Sequence, residues 1–444
     1  MTDTTTDTTT DAATDLTAVG HTGCGCPEGV AAGVSRRGLL GGAGVLGAVA
    51  GAVTAASPAE ATTRFTFADA GYTGDTLVVL SFRGGFDGLS AVAPVDEPAY
   101  HAARPNIAVP QSRGIALTSK FALHPALAPL QPLYASGKLA VVHAMGQPNP
   151  TRSHFTDMDE MERAAPGSSL RTGWLDRMVG ATTTPGAFAG TSLGSTTSPR
   201  SFLGPATELS LRSVDQFSLS GPWDATETTR WTTALRALHV GAAEPVGVPA
   251  RSTLDALATT TALKAAGYTP ANGASYPSGG LGEALRDTAR LVKAGVGLRA
   301  VTVDSGNWDM HAGLGRVDSG WMARQLTEVG LALAAFMTDL GSAADRVTLV
   351  TLSEFGRRVA ENGSGGTDHG HGNVSFVLGG GVVGGAVYGA WPGVGPDQLQ
   401  AGDLKATTDY RVVLGEILER RCGLAASTVL PGLPTQRLGL VRAR

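Results

Sequence analysis

The chain has 444 residues, of which 42% are hydrophobic and only 16% are charged, and its formal net charge is -4. This length accommodates one large domain or two to three ordinary ones, and the apolar content suffices for a substantial core. A slightly acidic balance without a basic patch argues against nucleic acid as a partner. The 61 glycines exceed the average share of about 7% and predict many tight turns.

The first 61 residues have the pattern of an export signal. Residues 1–34 begin with a Thr/Asp tract that lacks apolar periodicity, which predicts a disordered segment. In residues 35–61, Arg36-Arg37 precede an uncharged apolar run, and Ala59-Glu60-Ala61 fits the small-x-small cleavage rule. We therefore predict export by the twin-arginine translocase, to the cell envelope or the extracellular space. An uncleaved anchor is the alternative, because a run of about 19 residues can just span a bilayer.

Residues 62–444 predict a single α/β domain. Five short runs rich in Val and Leu predict strands of a mostly parallel sheet that is covered on both faces. These runs span residues 76–82, 138–145, 298–303, 346–352 and 374–378. Amphipathic stretches at 280–294 and 319–340 predict helices between strands, and this alternation is typical of an α/β sandwich. In such sheets the chemistry gathers at the carboxyl ends of the strands.

Two features of this domain have a structural rather than a chemical interpretation. Residues 182–277 are rich in Thr, Ser, Ala, Gly and Pro and lack strong strand runs, so we expect an insertion or cap over the sheet. His143 lies inside an apolar run and is predicted to be a hydrogen-bonded core residue.

Potential metal ligands follow two of the predicted strands. Asp87 lies in a glycine-rich segment after the first strand, where it is either a ligand or a helix cap. Asp309 and His311 follow the run at 298–303 and are two residues apart. In an extended segment that spacing directs both side chains to one side, so both can bind one cation. A salt-bridged turn is the alternative interpretation.

The segment after the run at 138–145 is a candidate catalytic segment. It offers Ser153 or Thr151 as a nucleophile, and Arg152 as a rigid fork for two oxygens of an anionic substrate. His154 is a candidate ligand or proton carrier. The same residues also fit the start of a helix, since Ser and Thr are good N-caps.

The last group of candidates surrounds the run at 346–352. Glu354 follows this run directly, and Asp368, His369 and His371 come about a dozen residues later in a glycine-rich loop. Carboxylate and imidazole are the usual ligands of Zn²⁺ and similar cations. Four such groups within 18 residues predict a functional site, and polar caps of a turn are the alternative.

The ordered motifs resemble those of the DUF1501 family, a group of exported proteins. The matching segments are Arg83-Gly84-Gly85-Phe86-Asp87-Gly88-Leu89, Arg152-Ser153-His154-Phe155, Gly173-Trp174-Leu175-Asp176-Arg177, Trp308-Asp309-Met310-His311, Ser353-Glu354-Phe355-Gly356-Arg357, Gly366-Thr367-Asp368-His369-Gly370 and Asp409-Tyr410-Arg411. They extend over roughly residues 75 to 440. The family is similar to the alkaline phosphatase and sulfatase superfamily, which implies an alkaline phosphatase-like sandwich with a mono- or dinuclear metal centre.

The resemblance also implies residue roles. Asp87 corresponds to a metal ligand after the first strand, and Ser153, with Thr151 second, corresponds to the nucleophile. Asp309 and His311 correspond to a metal-binding pair. Either Ser353-Glu354 or Asp368-His369 matches the late Asp-His pair of the superfamily.

Together these inferences predict an exported metal-dependent hydrolase of phosphate or sulfate esters, which acts through Ser153 or a metal-bound water. The expected catalytic residues are Ser153, Arg152 and His154. The expected metal ligands are Asp87, Asp309, His311, Asp368 and His369, with Glu354 or His371 completing the coordination. Zn²⁺ is the first choice of cation, with Ca²⁺, Mg²⁺ or Mn²⁺ as alternatives. The expected substrate is a small anionic ester or an envelope-derived compound.

Two other functions fit the same residues. The first is a non-catalytic exported binding or cell-envelope protein that retains the fold. The second is transfer of a phosphoryl-linked headgroup onto an envelope polymer. Oligomeric state has no signature in the sequence.

Overall fold

A nine-stranded sheet forms the centre of the protein in a computed structural model, which describes residues 72–181 and 185–444. The described residues belong to one compact unit, Phe65–Arg444. The predicted disordered segment and export signal lie outside them. No helix within these two ranges is long and apolar enough to cross a membrane.

The strands alternate with helices along most of the chain. The strands are β1 Thr76–Phe82, β2 Val92–Pro94, β3 Ile115–Ala116, β4 Phe121–Leu123, β5 Leu139–Gly146, β6 Gly190–Leu193, β7 Glu208–Leu211, β8 Ala300–Ser305, β9 Val347–Leu352, β10 Asn373–Gly379, β11 Val387–Tyr388 and β12 Thr408–Asp409. The helices are α1 Gly88–Ala91, α2 Pro98–Ala103, α3 Gln131–Ala135, α4 His154–Arg163, α5 Trp174–Gly180, α6 Ala225–His239, α7 Gly247–Ala266, α8 Gly280–Ala294, α9 Trp321–Leu340, α10 Tyr410–Arg420 and α11 Ala426–Val429. Short 3₁₀ turns span Pro125–Leu130, Arg200–Phe202, Gly341–Arg346 and Pro396–Gln398.

The central sheet is mostly parallel. Its order is β11-β5-β10-β9-β1-β8-β6-β7, and β12 also pairs with β5. Only the pairings of β10 with β5 and β9 are antiparallel in this sheet as described. Strands β2, β4 and β3 form a separate small antiparallel sheet. The carboxyl ends of β1, β5, β8 and β9 therefore lie at one edge, and the amino end of β10 lies at that same edge.

Both faces of the sheet are covered. Along β1, Val78, Leu80 and Phe82 pack into one hydrophobic cluster, to which α8 and α9 also contribute. Leu77 and Val79 point into a second cluster, which contains residues of α5 and α10. This alternation follows from the two-residue period of a strand. The predicted α/β sandwich, with a mostly parallel sheet flanked by helices, is confirmed.

Part of the segment 182–277 belongs to the central sheet. This segment contains β6 and β7, which extend the central sheet by parallel pairing next to β8. Gly190–Leu193 and Glu208–Leu211 are only four residues each, too short to give a strong apolar run. The rest of the segment includes α6 and α7, and no residue of α6 is buried.

His143 occupies the interior as expected for a core residue. It lies on β5, its Nε2 is 2.9 Å from the carbonyl oxygen of Val92, and its Nδ1 accepts a hydrogen bond from the amide of Ala144. His124 is also buried, and its Nδ1 accepts a hydrogen bond from Ala126. Burial lowers the pKa of each imidazole to about 4.

These histidines predict a loss of stability in mild acid. Since the unfolded chain binds the proton near pH 6.5 and the folded chain only near pH 4, stability is full above pH 6.5 and falls as the pH drops towards 4. The free energy of unfolding should fall by up to about 3 kcal/mol for each histidine over this window. Urea denaturation at pH 7, 6, 5 and 4.5 measures it.

The variant His143→Gln keeps a donor for the Val92 carbonyl but removes the titrating imidazole. It should show a shallower decline with pH than the wild type, whereas His239→Gln on the exposed helix α6 should not. A His143→Gln variant with the wild-type pH dependence would contradict the interpretation.

Candidate metal centre

The carboxyl edge of the sheet brings four chain segments together. His154 begins α4 after β5, Asp309 and His311 follow β8, and Glu354 follows β9. His369 precedes β10, which runs in the opposite direction and so starts at this edge. The polar side chains from distant parts of the sequence meet because parallel strands end on the same side.

Packing beneath the loop after β8 holds Asp309 in position. Trp308 is buried, and its ring lies 5.0 Å from that of Phe82 and 4.8 Å from that of Phe86. Gly84 passes so close that a Cβ there would lie 2.6 Å from the amide nitrogen of Asp309. With a φ of +117°, this position also requires glycine for its backbone conformation.

A fully buried guanidinium, that of Arg357, connects these loops. It donates hydrogen bonds to the carbonyl oxygens of Gly85 at 2.7 Å, Thr367 at 2.9 Å and Trp308 at 3.1 Å. It also donates to Oδ1 of Asp309 at 2.6 Å. In addition, Arg357 forms an antiparallel bridge with His369. One side chain thus sets the mutual positions of the loops after β1, β8 and β9.

Three imidazoles converge on Asp309. The ligand atoms of His154, Asp309 and His369 all lie within 4.8 Å of one another. Nε2 of His154 is 3.4 Å from Oδ2 of Asp309, and Nε2 of His369 is 3.1 Å from Oδ1. His311 joins the group, with its Nε2 3.0 Å from both Oδ1 of Asp309 and Nε2 of His369. We call these four residues the His-Asp cluster.

Each imidazole of the cluster is held through its other nitrogen. Nδ1 of His154 is 2.8 Å from Oε1 of Glu354, and Nδ1 of His311 is 3.0 Å from Oδ1 of Asp368. Nδ1 of His369 is 2.8 Å from the carbonyl oxygen of Arg152. A carboxylate or a carbonyl can only accept, so each Nδ1 carries the proton and donates. A ring that is protonated only at Nδ1 presents the lone pair of Nε2 to the cluster.

This arrangement fits a divalent cation. Three Nε2 lone pairs and a carboxylate repel one another unless a proton or a metal ion lies between them. Nε2 of His154 is buried and has no hydrogen-bond partner among the described residues. A tetrahedral zinc with ligands at about 2.0–2.1 Å has ligand–ligand separations of about 3.3 Å. Four contacts of the cluster, at 3.0–3.4 Å, are close to that separation, and the ligand atoms of His154, Asp309 and His369 all lie within 4.8 Å of one another.

The ionised carboxylate of Asp309 also suits a divalent cation. Burial raises the pKa of its carboxyl group, but the hydrogen bond and the positive charge of the Arg357 guanidinium lower it, and the pKa lies below its usual value. Asp309 is therefore ionised at neutral pH and available to a cation through Oδ2. Histidine nitrogens held by carboxylates or carbonyls are the usual arrangement around a protein-bound metal.

Two predicted ligands act behind the cluster instead of within it. Glu354 is buried, and its Oε1 accepts from the amide of Gly84 at 2.8 Å as well as from His154. Asp368 is exposed and accepts from Asn362 and His311, and these two hydrogen bonds lower its pKa. Both carboxylates therefore orient histidines.

Asp87 and His371 are not brought to the cluster. Both oxygens of Asp87 accept from the buried guanidinium of Arg104, at 2.7 Å and 2.9 Å. Nε2 of His371 is 2.8 Å from the carbonyl oxygen of Gln147. Within the described residues, no hydrogen bond joins either side chain to the His-Asp cluster. The sequence correctly predicted that both residues lie near the carboxyl edge of the sheet. It did not predict that Arg104 and the Gln147 carbonyl bind their side chains.

The expected catalytic residues other than His154 form hydrogen bonds with groups outside the His-Asp cluster. Ser153 is the N-cap of α4, and its Oγ accepts from the amide of Thr156. The Thr151 hydroxyl donates to Asp157 at 2.7 Å. The guanidinium of Arg152 donates to Asp403 through Nε at 2.9 Å. The donors that were expected to bind an anionic substrate are therefore engaged by Asp403.

Sequence reasoning missed two residues that shape the site. Arg357 belongs to a motif that was recognised, yet its role depends on three loops that only the fold brings together. Asp403 lies in a polar segment without any motif. Nothing in the sequence distinguishes it from a surface aspartate that is exposed to solvent. It is nevertheless buried and anchors Arg152.

Fold and site together define an α/β protein with a histidine-rich candidate metal centre at the carboxyl edge of its sheet. Residues 75–416, more than half of the chain, match the family described as "Protein of unknown function (DUF1501)". The chain belongs to the DUF1501 family, as its motifs predict.

Comparison with characterised proteins adds little. No curated protein has a sequence significantly similar to this chain. One similar solved structure is the C-terminal periplasmic domain of EcEptC from Escherichia coli in complex with Zn, at 10% identity. The similarity covers 69% of this chain and 73% of that one, with a TM-score of 0.29. A TM-score this low carries no argument about the present chain.

The cluster predicts one zinc ion per chain. The variant His369→Ala removes a ligand, and Glu354→Gln removes the charge that orients His154. The second variant should weaken zinc affinity by roughly 10- to 100-fold, and the first by more. Competition with a chromogenic chelator measures both. His371→Ala should bind zinc as the wild type does, and equal losses in all three variants would contradict this ligand assignment.

A second prediction concerns Asp403. Arg152 has a left-handed backbone with a φ of 62°, its amide donates to Asp157 at 2.8 Å, and its carbonyl accepts from His369. The ion pair with Asp403 holds this unfavourable conformation in place. Asp403→Asn should therefore weaken zinc affinity by about ten-fold, near the lower end for residues that support ligands.

The matched control is Asp409→Asn, which breaks another partly buried carboxylate–arginine pair, with Arg411. Both variants should lower the melting temperature, but only Asp403→Asn should alter zinc affinity. Unchanged zinc affinity in Asp403→Asn would show that the pair serves stability alone.

Proposed function

We propose that the protein is an exported metal-dependent hydrolase of phosphate or sulfate esters. The observation that carries the proposal is the convergence of His154, His311, His369 and Asp309 next to an open cavity. Imidazole and carboxylate donors suit Zn²⁺ first, with Mn²⁺, Mg²⁺ or Ca²⁺ as alternatives. A divalent cation bound there supplies Lewis acidity towards an ester oxygen and lowers the pKa of a water molecule.

The protein's own side chains have distinct tasks in this proposal. His154, His369, His311 and Asp309 bind the cation through Nε2 and Oδ2. Glu354, Asp368 and the Arg152 carbonyl keep the three imidazoles in the tautomer that binds metal. The buried guanidinium of Arg357 keeps Asp309 ionised and in place.

The geometry favours water over Ser153 as the nucleophile. The Ser153 hydroxyl caps α4, and within the described residues no hydrogen bond joins it to the His-Asp cluster. Nor does Arg152 offer a free guanidinium to the substrate, since Asp403 occupies it. Neutralisation of an anionic ester therefore depends on the cation.

The alternative is a non-catalytic exported metal-binding protein of the cell envelope. The observation that favours it is that the Ser153 hydroxyl and the Arg152 guanidinium are both engaged in hydrogen bonds within the protein. Such a protein would retain the metal site without groups free to assist a reaction.

Hydrolysis assays distinguish the two functions. Zinc- or manganese-loaded protein should hydrolyse 4-nitrophenyl phosphate or 4-nitrophenyl sulfate, and a chelator should abolish this turnover. His369→Ala should lower kcat/KM by at least about 100-fold, because it removes a metal ligand. Ser153→Ala should retain activity within about three-fold.

Two results would change the proposal. Absence of turnover in fully metal-loaded protein would favour the non-catalytic alternative. Loss of activity in Ser153→Ala with unchanged metal content would restore Ser153 as the nucleophile.

A further inference from the structure

A cavity of about 570 Å³ opens beside the His-Asp cluster. His154, Asp309 and Glu354 line it. Phe155 and Met158, from the first turns of α4, form part of its wall. A molecule in this cavity would therefore contact the candidate metal centre and α4 at the same time.

The charged residues of the cavity are already paired. Nη1 of Arg83 is 2.6 Å from Glu162, and its Nε is 3.0 Å from Asp304. Arg200 forms an ion pair with Asp159. The walls therefore offer no uncompensated positive charge to a second anionic group of a substrate, which argues against polyphosphates.

Phe155 is the feature of the cavity that internal packing does not explain. Its side chain is 90% exposed, more than any other large hydrophobic residue within the described ranges. It directly follows His154, whose backbone and ring are fixed by the helix start and by Glu354. Contact between this exposed ring and an apolar group of a bound molecule would stabilise the complex, because the contact removes apolar surface from water.

We propose that Phe155 and Met158 form a subsite for an aromatic or other apolar group attached to the phosphate or sulfate. The inference rests on the proposed function, since the anionic end must lie at the His-Asp cluster for the apolar end to reach Phe155. The substrate class is then a monoester of an apolar alcohol or phenol. Phe155 is the residue that determines this specificity.

Phosphonates test the subsite without turnover, because their P–C bond is not hydrolysed. Zinc-loaded protein is titrated with phenylphosphonate and with methylphosphonate, and the two dissociation constants are compared. The wild type should bind phenylphosphonate roughly three- to ten-fold more tightly, as expected for one aromatic contact. Phe155→Ala should remove this preference, and Phe155→Tyr should retain it.

Trp223→Ala is the matched control, because Trp223 is also highly exposed but does not line the cavity. All variants are first compared for zinc content and melting temperature, which a surface substitution should leave unchanged. The control should keep the wild-type preference for phenylphosphonate.

The outcomes separate the two proposals. Equal affinity for the two phosphonates in the wild type, or an unchanged preference in Phe155→Ala, would overturn the subsite and leave the hydrolase proposal standing. Failure of zinc-loaded protein to bind either phosphonate would overturn the hydrolase proposal, and the subsite with it.

Discussion

The candidate site depends on one buried charge, the guanidinium of Arg357. A charge that is removed from water is tolerated only when it is paired and fully hydrogen-bonded. Here four backbone carbonyls, those of Gly84, Gly85, Trp308 and Thr367, meet that requirement together with the Asp309 carboxylate, and they belong to different loops. Because the cost of leaving this charge unpaired is high, the loops after β1, β8 and β9 are constrained to one arrangement. The position of Asp309 at the cluster is a consequence of that constraint.

The three histidines of the cluster are likewise held by hydrogen bonds from different parts of the chain. Their Nδ1 partners are two carboxylates and a backbone carbonyl, each supplied by a different segment of the chain. Since these partners only accept hydrogen bonds, Nδ1 is the donor in each of the three pairs. The site is thus preorganised for a cation, and its exposed neighbour Phe155 adds an apolar surface directly beside a charged centre. The combination of these two features is the basis of the proposed specificity for esters of apolar alcohols or phenols.

Much of the fold was predictable because its signals are local. The predicted strand at 76–82 and the predicted helix at 280–294 agree with Thr76–Phe82 and Gly280–Ala294. Dense Val/Leu runs and amphipathic periodicity determine such elements without help from distant residues. By contrast, the four-residue strands β6 and β7 have little propensity of their own. They form because they pair with the edge of an existing sheet next to β8.

For the site, the sequence by itself determined which residue types lie at strand ends. It therefore identified His154, Asp309, His311 and His369 as candidate site residues. Only the tertiary structure decided which of these polar groups face one another. Asp87 and His371 have the same chemistry and similar positions, yet Arg104 engages one and the Gln147 carbonyl the other. Glu354 and Asp368 were expected as ligands but orient histidines instead, and Asp403 had no signature at all. The physical reason is that ligand geometry is set by hydrogen bonds between residues far apart in sequence, and no local pattern encodes those distances.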